Sequence, residues 1–405
     1  MKSMNLNVIT HLHTYASNGP ASSLDQVMKS ILTDIFGTIP EGLIWRECFT
    51  STNDILQILK GKRTRKKIDI LFITDHMSSK HHRFDSGLLE LATVERKIGL
   101  GCEIQTVRFS EKQGRFLTAP EILLYGDGID REFNGKKYTG LDDETLALLY
   151  AECTICGSGE PEISKVNEFC KKHGIACAMA HPFDCQELDL EETLDLISTF
   201  SFVEAVNGGF PHRSARALQE YIAFHNDIIE TGLGHSLLGC ELTDEQKLRV
   251  EKICTSEVIV PFGGSDAHLN HFDRVITRFS TVPNKTQAVD FVQMMLECSE
   301  SAIMHDDIVA PVGHGCTMVG LYKDVIGILY KNISVYWVHF RSPRIWPDLA
   351  RTLMTTGFTE LKKRIKRNKS IALDYQHQLH IGELQKTVDS LKREKLRTHP
   401  FECLQ

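Results

Sequence analysis

Short apolar runs rich in β-branched residues alternate with amphipathic stretches over about the first 285 residues of the chain. The apolar runs predict strands at residues 6–10, 68–74, 98–104, 116–125, 175–180, 202–207 and 258–263. The stretches between them predict helices at residues 22–36, 54–60, 85–97, 142–153, 161–173, 190–199 and 214–225. Seven strands that alternate with helices indicate β/α units around a parallel sheet, and we expect an α/β barrel with fewer than eight units.

The pattern changes after residue 284. Residues 287–296 predict a last helix that packs on the barrel, so a first domain is expected at residues 1–300. A helical extension is expected at residues 301–360, where apolar segments follow a mixed loop. Residues 361–405 then predict a basic and heptad-like C-terminal helix, which makes the appendage of the barrel.

Two features of this C-terminal region suggest partners. Residues 361–369 predict a basic helix, because six of the nine residues are Lys or Arg. Ile381, Leu384, Val388 and Leu391 follow at heptad-like spacing over about two heptads. We expect residues 361–396 to contact nucleic acid or an acidic partner, or to associate with a second copy of the chain. A solvated helix is the competing interpretation of the basic segment.

Composition sets the class of protein. The chain has 405 residues, of which 42% are hydrophobic, a formal net charge of −7 and twelve cysteines. This length allows a large buried core, and no apolar run is long enough to span a bilayer. Cysteines without a regular framework are typical of reduced thiols. No charged-then-apolar leader precedes Val8, so we expect a cytoplasmic protein without a membrane segment.

Histidines and carboxylates follow the apolar runs where the predicted strands end. His11 and His13 occupy alternate positions, so that on a strand both side chains would point to the same face. Two converging imidazoles can bind one divalent ion, and Glu103 and Asp266 suit a bridging carboxylate and a distal ligand. The other members of the set are Asp75, His76, Glu121, His181, the segment 204–207 and His268. Because the carboxyl ends of barrel strands meet at one face, the set predicts a single metal-binding centre.

The order of these motifs resembles that of the PHP (polymerase and histidinol phosphatase) family of metal-dependent phosphoesterases. The matching segments are His11-Leu12-His13-Thr14, Ile73-Thr74-Asp75-His76, Gly101-Cys102-Glu103, Ala180-His181-Pro182, Val203-Glu204-Ala205-Val206-Asn207 and Gly264-Ser265-Asp266-Ala267-His268. They lie within about residues 6–283. The resemblance implies a distorted (β/α)7 barrel of the PHP type with two or three divalent metal ions, which would be Mn, Zn, Fe or Mg.

The resemblance also implies which residues bind each ion. His11, His13, Glu103 and Asp266 would bind the first ion, and Glu103 would bridge to a second ion that His181 also binds. The remaining two histidines of the set, His76 and His268, would bind a third ion.

Two positions depart from the family pattern. An Asp or His that often follows the first motif is replaced by Asn18, whose amide oxygen is a weaker ligand than a carboxylate. A histidine of the fourth strand is replaced by Glu121, which shifts the preference toward harder ions such as Mn²⁺ or Mg²⁺. Both departures bear on how completely the second and third metal sites are formed.

The resemblance implies hydrolysis of a phosphomonoester or of a nucleic-acid phosphodiester by a metal-activated hydroxide. Asp75, His76 and Arg213 are the catalytic candidates, with Arg213 either in contact with the substrate phosphate or exposed at a helix start. The basic C-terminal segment favours a nucleotide or nucleic-acid substrate, as for a nuclease.

Two other classes of function remain open from the sequence. A PHP-like module with weakened catalysis could act as a regulatory or scaffolding subunit of a larger complex, and Asn18 and Glu121 favour this alternative. An amidohydrolase-type deacylase also begins with His-x-His on a barrel strand. That class typically uses a carboxylated lysine as the metal bridge, a role that Glu103 would have here.

Overall fold

The computed structural model describes residues 4–14, 16–17, 50–62, 64, 67–79, 82–155, 159–184, 187–207, 215–266, 275–281, 286–300, 308–309, 378–379 and 381–398. The strands in these ranges are β1 (Met4–Ile9), β2 (Ile70–Met77), β3 (Ile98–Ser110), β4 (Arg115–Gly126), β5 (Asp130–Phe133), β6 (Lys136–Gly140), β7 (Ala176–Met179), β8 (Phe202–Asn207), β9 (Val260–Gly264), β10 (Ile276–Thr281) and β11 (Ile308–Val309). The α-helices are α1 (Thr52–Leu59), α2 (Ser86–Val94), α3 (Asp143–Cys153), α4 (Ile163–His173), α5 (Leu190–Ile197), α6 (Ala215–Thr231), α7 (Gly234–Leu238), α8 (Asp244–Cys254), α9 (Ala288–Glu300) and α10 (Ile381–Thr398). All seven predicted strands are present, as are the predicted helices that fall in these ranges, with shifted ends.

The strands form one mixed sheet in the order β11-β10-β1-β2-β3-β4-β7-β8-β9. Neighbours are parallel from β1 to β3 and from β7 to β9, whereas β4 is antiparallel to both β3 and β7. The sheet nearly closes into a barrel, because the backbone N of Asp266 after β9 donates to the carbonyl oxygen of His11 after β1 at 2.9 Å. The prediction of a barrel-like α/β fold is confirmed. The expectation of a parallel sheet is wrong for β4, which runs in the reverse direction.

Apolar side chains fill the end of the barrel at which the parallel strands begin. They come from alternate strand positions, namely Leu6, Val8, Ile70, Phe72, Leu123, Tyr125, Ala176, Ala178, Phe202, Val260 and Phe262. Helix α9 closes this end with Phe291, whose ring centroid lies 5.2 Å from that of Phe72 and 4.8 Å from that of Phe279. Gly99 provides the space for the Phe72 ring, because a Cβ at Gly99 would lie 2.1 Å from it.

The C-terminal helix α10 packs against α6 and α7 on the outside of the barrel. Ile381, Leu384 and Val388 are buried in the same apolar cluster as residues of α3 to α8, and Leu391 packs against that cluster. The heptad-like residues thus form a helix, as expected, but their apolar face is used in the core of this chain. Burial of this face leaves it unavailable to a second helix while α10 stays packed.

Parts of the predicted organisation lie outside the described residues. These parts are the helix at residues 22–36, nearly all of the extension at 301–360 and the basic segment 361–369. The domain boundaries at residues 300 and 360 therefore stay predictions. Among the helices that the structure describes, none combines the length and the apolar character needed to cross a bilayer.

Candidate metal centre

The second end of the barrel, opposite α9, gathers polar side chains. Seven of the predicted ligands converge there, namely His11, His13, His76, Glu103, Glu121, His181 and Asp266. His11 and His13 lie just beyond β1, while Leu12 between them is buried in the apolar cluster outside the barrel. The alternation that the sequence predicts is therefore present, although β1 itself ends at Ile9.

Glu103 on β3 occupies the middle of this group. Its Oε1 lies 3.1 Å from His181 Nε2. Its Oε2 lies 3.3 Å from His11 Nε2, 3.1 Å from His13 Nε2 and 3.2 Å from His76 Nδ1. The two oxygens of one carboxylate thus face different imidazoles, which is the arrangement that a bridge between two cations requires.

His11, His13 and Asp266 form a second set of close contacts. The Nε2 atoms of His11 and His13 lie 2.9 Å apart. Asp266 Oδ1 lies 3.3 Å from His13 Nε2 and 3.7 Å from His11 Nε2. Both imidazoles are fully buried, so ring nitrogens and a carboxylate oxygen face each other away from bulk water.

Glu121 comes from the reversed strand β4. It lies within the strand and not at its end, because β3 and β4 continue together past the centre as a hairpin. Its Oε1 lies 3.7 Å from His76 Nδ1 and its Oε2 lies 3.5 Å from His181 Nε2. The structure therefore places Glu121 between His76 and His181.

Three groups of these side chains have the spacing of a metal site. Within each group one ligand atom per residue lies within 4.8 Å of the others, and the groups are His11, Glu103, His181; His11, His13, Asp266; and His13, His76, Glu103. Imidazole nitrogens and carboxylate oxygens together suit divalent ions such as Zn²⁺, Fe²⁺ and Mn²⁺. The donor set and its spacing therefore fit a divalent metal.

The electrostatics of the histidines support this assignment. Burial lowers the pKa of His11, but Glu103, Glu204 and Asp266 outweigh burial and hold that pKa well above its usual value. At His13, burial also lowers the pKa, but hydrogen bonds to Asp266 and Glu103 outweigh burial and raise the pKa to about 9. At His181, burial lowers the pKa, but the hydrogen bond and the charge of Glu103 outweigh burial and raise the pKa to about 9. The carboxylates thus attract positive charge, which protons or metal ions can supply.

The two central glutamates titrate in opposite directions. Burial alone would raise the pKa of Glu103, but the charges of His11 and His76 hold it well below its usual value. Burial, followed by the charge of Glu103, raises the pKa of Glu121 to about 8. Two carboxylates close together cannot both ionise cheaply without a counter-charge, so Glu121 holds a proton at neutral pH when no cation is bound.

Glu204 on β8 contacts the ligands from outside this group. Its Oε1 accepts a hydrogen bond from His11 Nδ1 at 3.0 Å. Its Oε2 accepts from the backbone N of His181 at 3.0 Å and from Asn207 Nδ2 at 2.9 Å. The segment 204–207 was expected at the centre, but no role was expected for Glu204. The signal was present, because Glu204 alternates with Phe202 and so points to the barrel interior.

Two ligands have a backbone conformation that favours glycine. The φ angle is +24° at His181 and +44° at Asp266. A non-glycine residue in this region costs roughly 1–3 kcal/mol and persists where the surrounding contacts fix it. Both residues directly follow the ends of their strands, where hydrogen bonds to Glu204 and to the carbonyl oxygen of His11 hold their backbone N–H groups.

Asp75, a catalytic candidate from the sequence, lies beside the centre and is in none of the three ligand groups. Its Oδ1 and Oδ2 accept hydrogen bonds of 2.5 Å from the backbone N and the Oγ1 of Thr14. These bonds fix the segment that follows His13. The catalytic role of Asp75 stays a prediction, and its hydrogen bonds to Thr14 position the backbone beside the centre.

Three expected site residues fall outside the described ranges, namely Asn18, Arg213 and His268. Their roles stay predictions. Arg216, the other arginine near the predicted phosphate site, is described on α6. Its side chain is 80% exposed and pairs with Glu220 on the same helix at 2.7 Å. This contact is that of an exposed helix pair.

Comparisons with known proteins add little to this geometry. No family model matches the chain, and no curated protein matches it. One solved structure is that of a protein from Bifidobacterium adolescentis that is provisionally named a metal-dependent phosphoesterase. It aligns with 73% of this chain and 98% of its own, at 12% identity and a TM-score of 0.30. Identity and TM-score at that level say nothing about function, so the function of the site is inferred from its residues.

Proposed function

We propose that the chain is a metal-dependent phosphoesterase of the PHP type, built on a distorted (β/α)7 barrel and active in the cytoplasm. The substrate would be a phosphomonoester or a nucleic-acid phosphodiester. The observation that carries the proposal is the convergence of four imidazoles and three carboxylates from β1, β2, β3, β4, β7 and β9 at one end of the barrel. The order of their motifs along the chain, which resembles that of the PHP family, adds the reaction class.

Glu103 and the imidazoles around it would hold a cluster of two or three ions. Glu103 Oε1 would bind an ion together with His181, and Glu103 Oε2 faces the rings of His11, His13 and His76. Bound divalent ions would supply Lewis acidity toward phosphoryl oxygens and toward water. Glu103 belongs to two of the three ligand groups and presents one oxygen to His181 and the other to the remaining imidazoles, which favours neighbouring ions over one isolated ion.

The other residues of the chain position these ligands. Asp75 fixes the segment after His13 through Thr14, and the buried strands beneath prevent the ligands from relaxing apart. Glu121 would lose its proton when a bound cation supplies the counter-charge, and it would then offer a carboxylate ligand between His76 and His181. Arg213 would contact the substrate phosphate, because it is positively charged and follows β8 in the sequence.

The experiment that tests this proposal combines metal analysis with turnover. Purified chain supplemented with Mn²⁺ is assayed on p-nitrophenyl phosphate and on 5′-labelled oligonucleotides. We expect bound divalent metal and hydrolysis of at least one substrate, and we expect His11→Ala and Asp266→Ala to abolish turnover. His235→Ala is the matched control, since this histidine is exposed on α7 away from the centre.

The same assays decide between the two remaining classes. Bound metal without turnover on any phosphoester contradicts the phosphoesterase proposal and favours a regulatory or scaffolding module. The placement of Glu121 between His76 and His181 supports the enzyme, because a carboxylate lies where the resemblance implies a histidine ligand. Hydrolysis of amides in place of phosphoesters would favour the deacylase.

The nuclease form of the proposal has its own test in residues 361–369. Deletion of the whole C-terminus would also remove α10 and expose the buried side chains that it covers. Substitution of the six basic residues by Gln, with α10 kept, isolates their charge. We expect weaker binding of oligonucleotides and an unchanged rate on p-nitrophenyl phosphate. Equal oligonucleotide cleavage by both proteins would contradict a role for this segment.

A further inference from the structure

We propose that Glu204 is a positioning residue that holds His11 and His181 in ligand geometry together, an inference that rests on the proposed metal centre. Glu204 belongs to none of the three ligand groups. Its two oxygens instead reach two members of one group, the ring of His11 and the backbone of His181, and His11 also belongs to a second group. One buried carboxylate would therefore couple the geometry of neighbouring metal sites.

The contact with His11 selects the tautomer of its ring. An ionised carboxylate can only accept hydrogen bonds, so His11 Nδ1 carries the hydrogen that Glu204 Oε1 receives at 3.0 Å. The lone pair of the neutral ring is then on Nε2, which faces Glu103 Oε2 and His13 Nε2. A ring with the hydrogen on Nε2 could not bind a cation there.

The contact with His181 acts on the backbone. Glu204 Oε2 accepts from the His181 N–H at 3.0 Å, at the residue whose φ angle is +24°. This hydrogen bond helps to fix a conformation that an L-residue rarely adopts, and the conformation directs the His181 ring toward Glu103 Oε1. Asn207 Nδ2 donates to the same oxygen at 2.9 Å and holds the carboxylate in place.

The surroundings leave no substitute for this carboxylate. Glu204 is 1% exposed, so bulk water does not reach its carboxylate. Gly264 on β9 makes room for it, because a Cβ at Gly264 would lie 1.8 Å from Glu204 Oε1 and 2.7 Å from the His11 Cβ. Glu204 and His11 can therefore take their positions only because Gly264 on the neighbouring strand has no side chain.

The test measures metal binding and ring protonation, not turnover. In Glu204→Gln the amide keeps one oxygen and presents its NH₂ group to another donor, so one of the two ligands loses its partner. We expect Zn²⁺ affinity, measured by competition with a chromophoric chelator, to fall by about 10- to 100-fold. Glu257→Gln, which removes an exposed carboxylate, is the matched control and should bind Zn²⁺ as the wild type does.

Nitrogen-15 NMR of the wild-type protein gives a readout that needs no variant to fold. We expect His11 in the Zn²⁺-loaded protein to carry its hydrogen on Nδ1. Hydrogen on Nε2 instead, or Zn²⁺ affinity in Glu204→Gln within about twofold of the wild type, overturns the inference while the phosphoesterase proposal stands. Absence of Zn²⁺ binding by the wild type overturns both.

Discussion

The two ends of the barrel are built from the same strands and differ in the chemistry of their interior positions. At the end closed by α9 the rings of Phe72, Tyr125 and Phe291 pack against each other, with 5.1 Å between the first two centroids. At the opposite end imidazoles and carboxylates take the place of these rings. The apolar end gains stability from burial, whereas the polar end concentrates buried charge that only a counter-charge relieves.

The packing at the apolar end also fixes the strands that carry the metal ligands. Strand β2 carries Phe72 at one end and His76 at the other, so packing of the ring fixes the strand that presents the ligand. Substitutions at the two ends should therefore have separable effects. Those at the polar end should alter metal binding and turnover, and those at the apolar end should alter the free energy of unfolding.

The largest expected effect is that of Glu103→Gln on turnover. The amide has a single oxygen and no charge, so it cannot hold cations on both of its sides. We expect a loss of about 10³-fold or more, since metal assistance stabilises the transition state by several kcal/mol and each 1.36 kcal/mol is tenfold in rate. Bound metal per chain, measured by elemental analysis, should fall as well. Glu168→Gln on the exposed face of α4 is the control, and equal turnover in the Glu103 variant would contradict the bridging role.

The second prediction concerns the apolar end. Phe72→Ala leaves a cavity beneath α9 and should lower the free energy of unfolding by about 3–5 kcal/mol in denaturant titrations. The affinity for metal in the folded protein should change by only a few-fold, because no ligand is removed. Val94→Ala, at a side chain that is 69% exposed, should have little effect. A larger loss of metal affinity than of stability would mean that the two ends are not separable.

The sequence predicted the apolar end better than the polar end. The apolar runs of β2, β4 and β8 are local patterns, so the positions of these strands followed from them. The direction of β4 did not, because an apolar run reads the same in a parallel and an antiparallel strand. The β5–β6 hairpin was missed although Asn134-Gly135 is a hairpin signal, with both φ angles positive in the structure. Helix α8 was missed although Thr243 and Gln246 form a capping box.

The candidate site was predicted as a set of residues and not as a set of contacts. The convergence of His11, His13 and Glu103 followed from strand ends in a barrel. The link between Glu204 and His181 spans two strands and depends on the turn after β7, which no local pattern specifies. The position of Gly264 beside Glu204 is likewise a property of the closed barrel.

The third prediction uses pH to separate protons from metal at the polar end. The pKa values of about 9 for His13 and His181 lie above the ordinary value of 6.5, so both rings are protonated at neutral pH in the metal-free protein. Binding a cation must displace these protons, so affinity should rise with pH up to about 9. With at least two protons released, affinity should increase by about 100-fold or more per pH unit near neutrality.

Calorimetry checks this prediction directly. Titration of metal in buffers of different ionisation enthalpy gives the number of protons released. We expect at least the two protons of the histidines, and more from His11 and Glu121, whose pKa values are also raised. Metal affinity that is flat between pH 6.5 and 9 would mean that the ligands already lack protons before the cation binds.

The smallest expected effect lies outside both ends, at His225 on α6. This side chain is fully buried, and its Nε2 lies 2.8 Å from Ser256 Oγ. Burial lowers the pKa of His225 to about 4, so the folded protein keeps the ring neutral where the unfolded chain, with a value near 6.5, takes up a proton. The contribution of the neutral His225 ring to the free energy of unfolding is therefore fully present above about pH 6.5, and it is lost as the pH falls toward 4.

At pH 5 this linkage amounts to about 2 kcal/mol relative to pH 7. His225→Gln removes the titration, so the difference in unfolding free energy between variant and wild type should shift in favour of the variant by that amount as the pH is lowered. The exposed His235→Gln should show no such shift. The metal centre should be unaffected at constant pH, since His225 lies on a helix outside the barrel. A pH dependence that is unchanged in His225→Gln would assign acid instability to the buried carboxylates and imidazoles of the polar end instead.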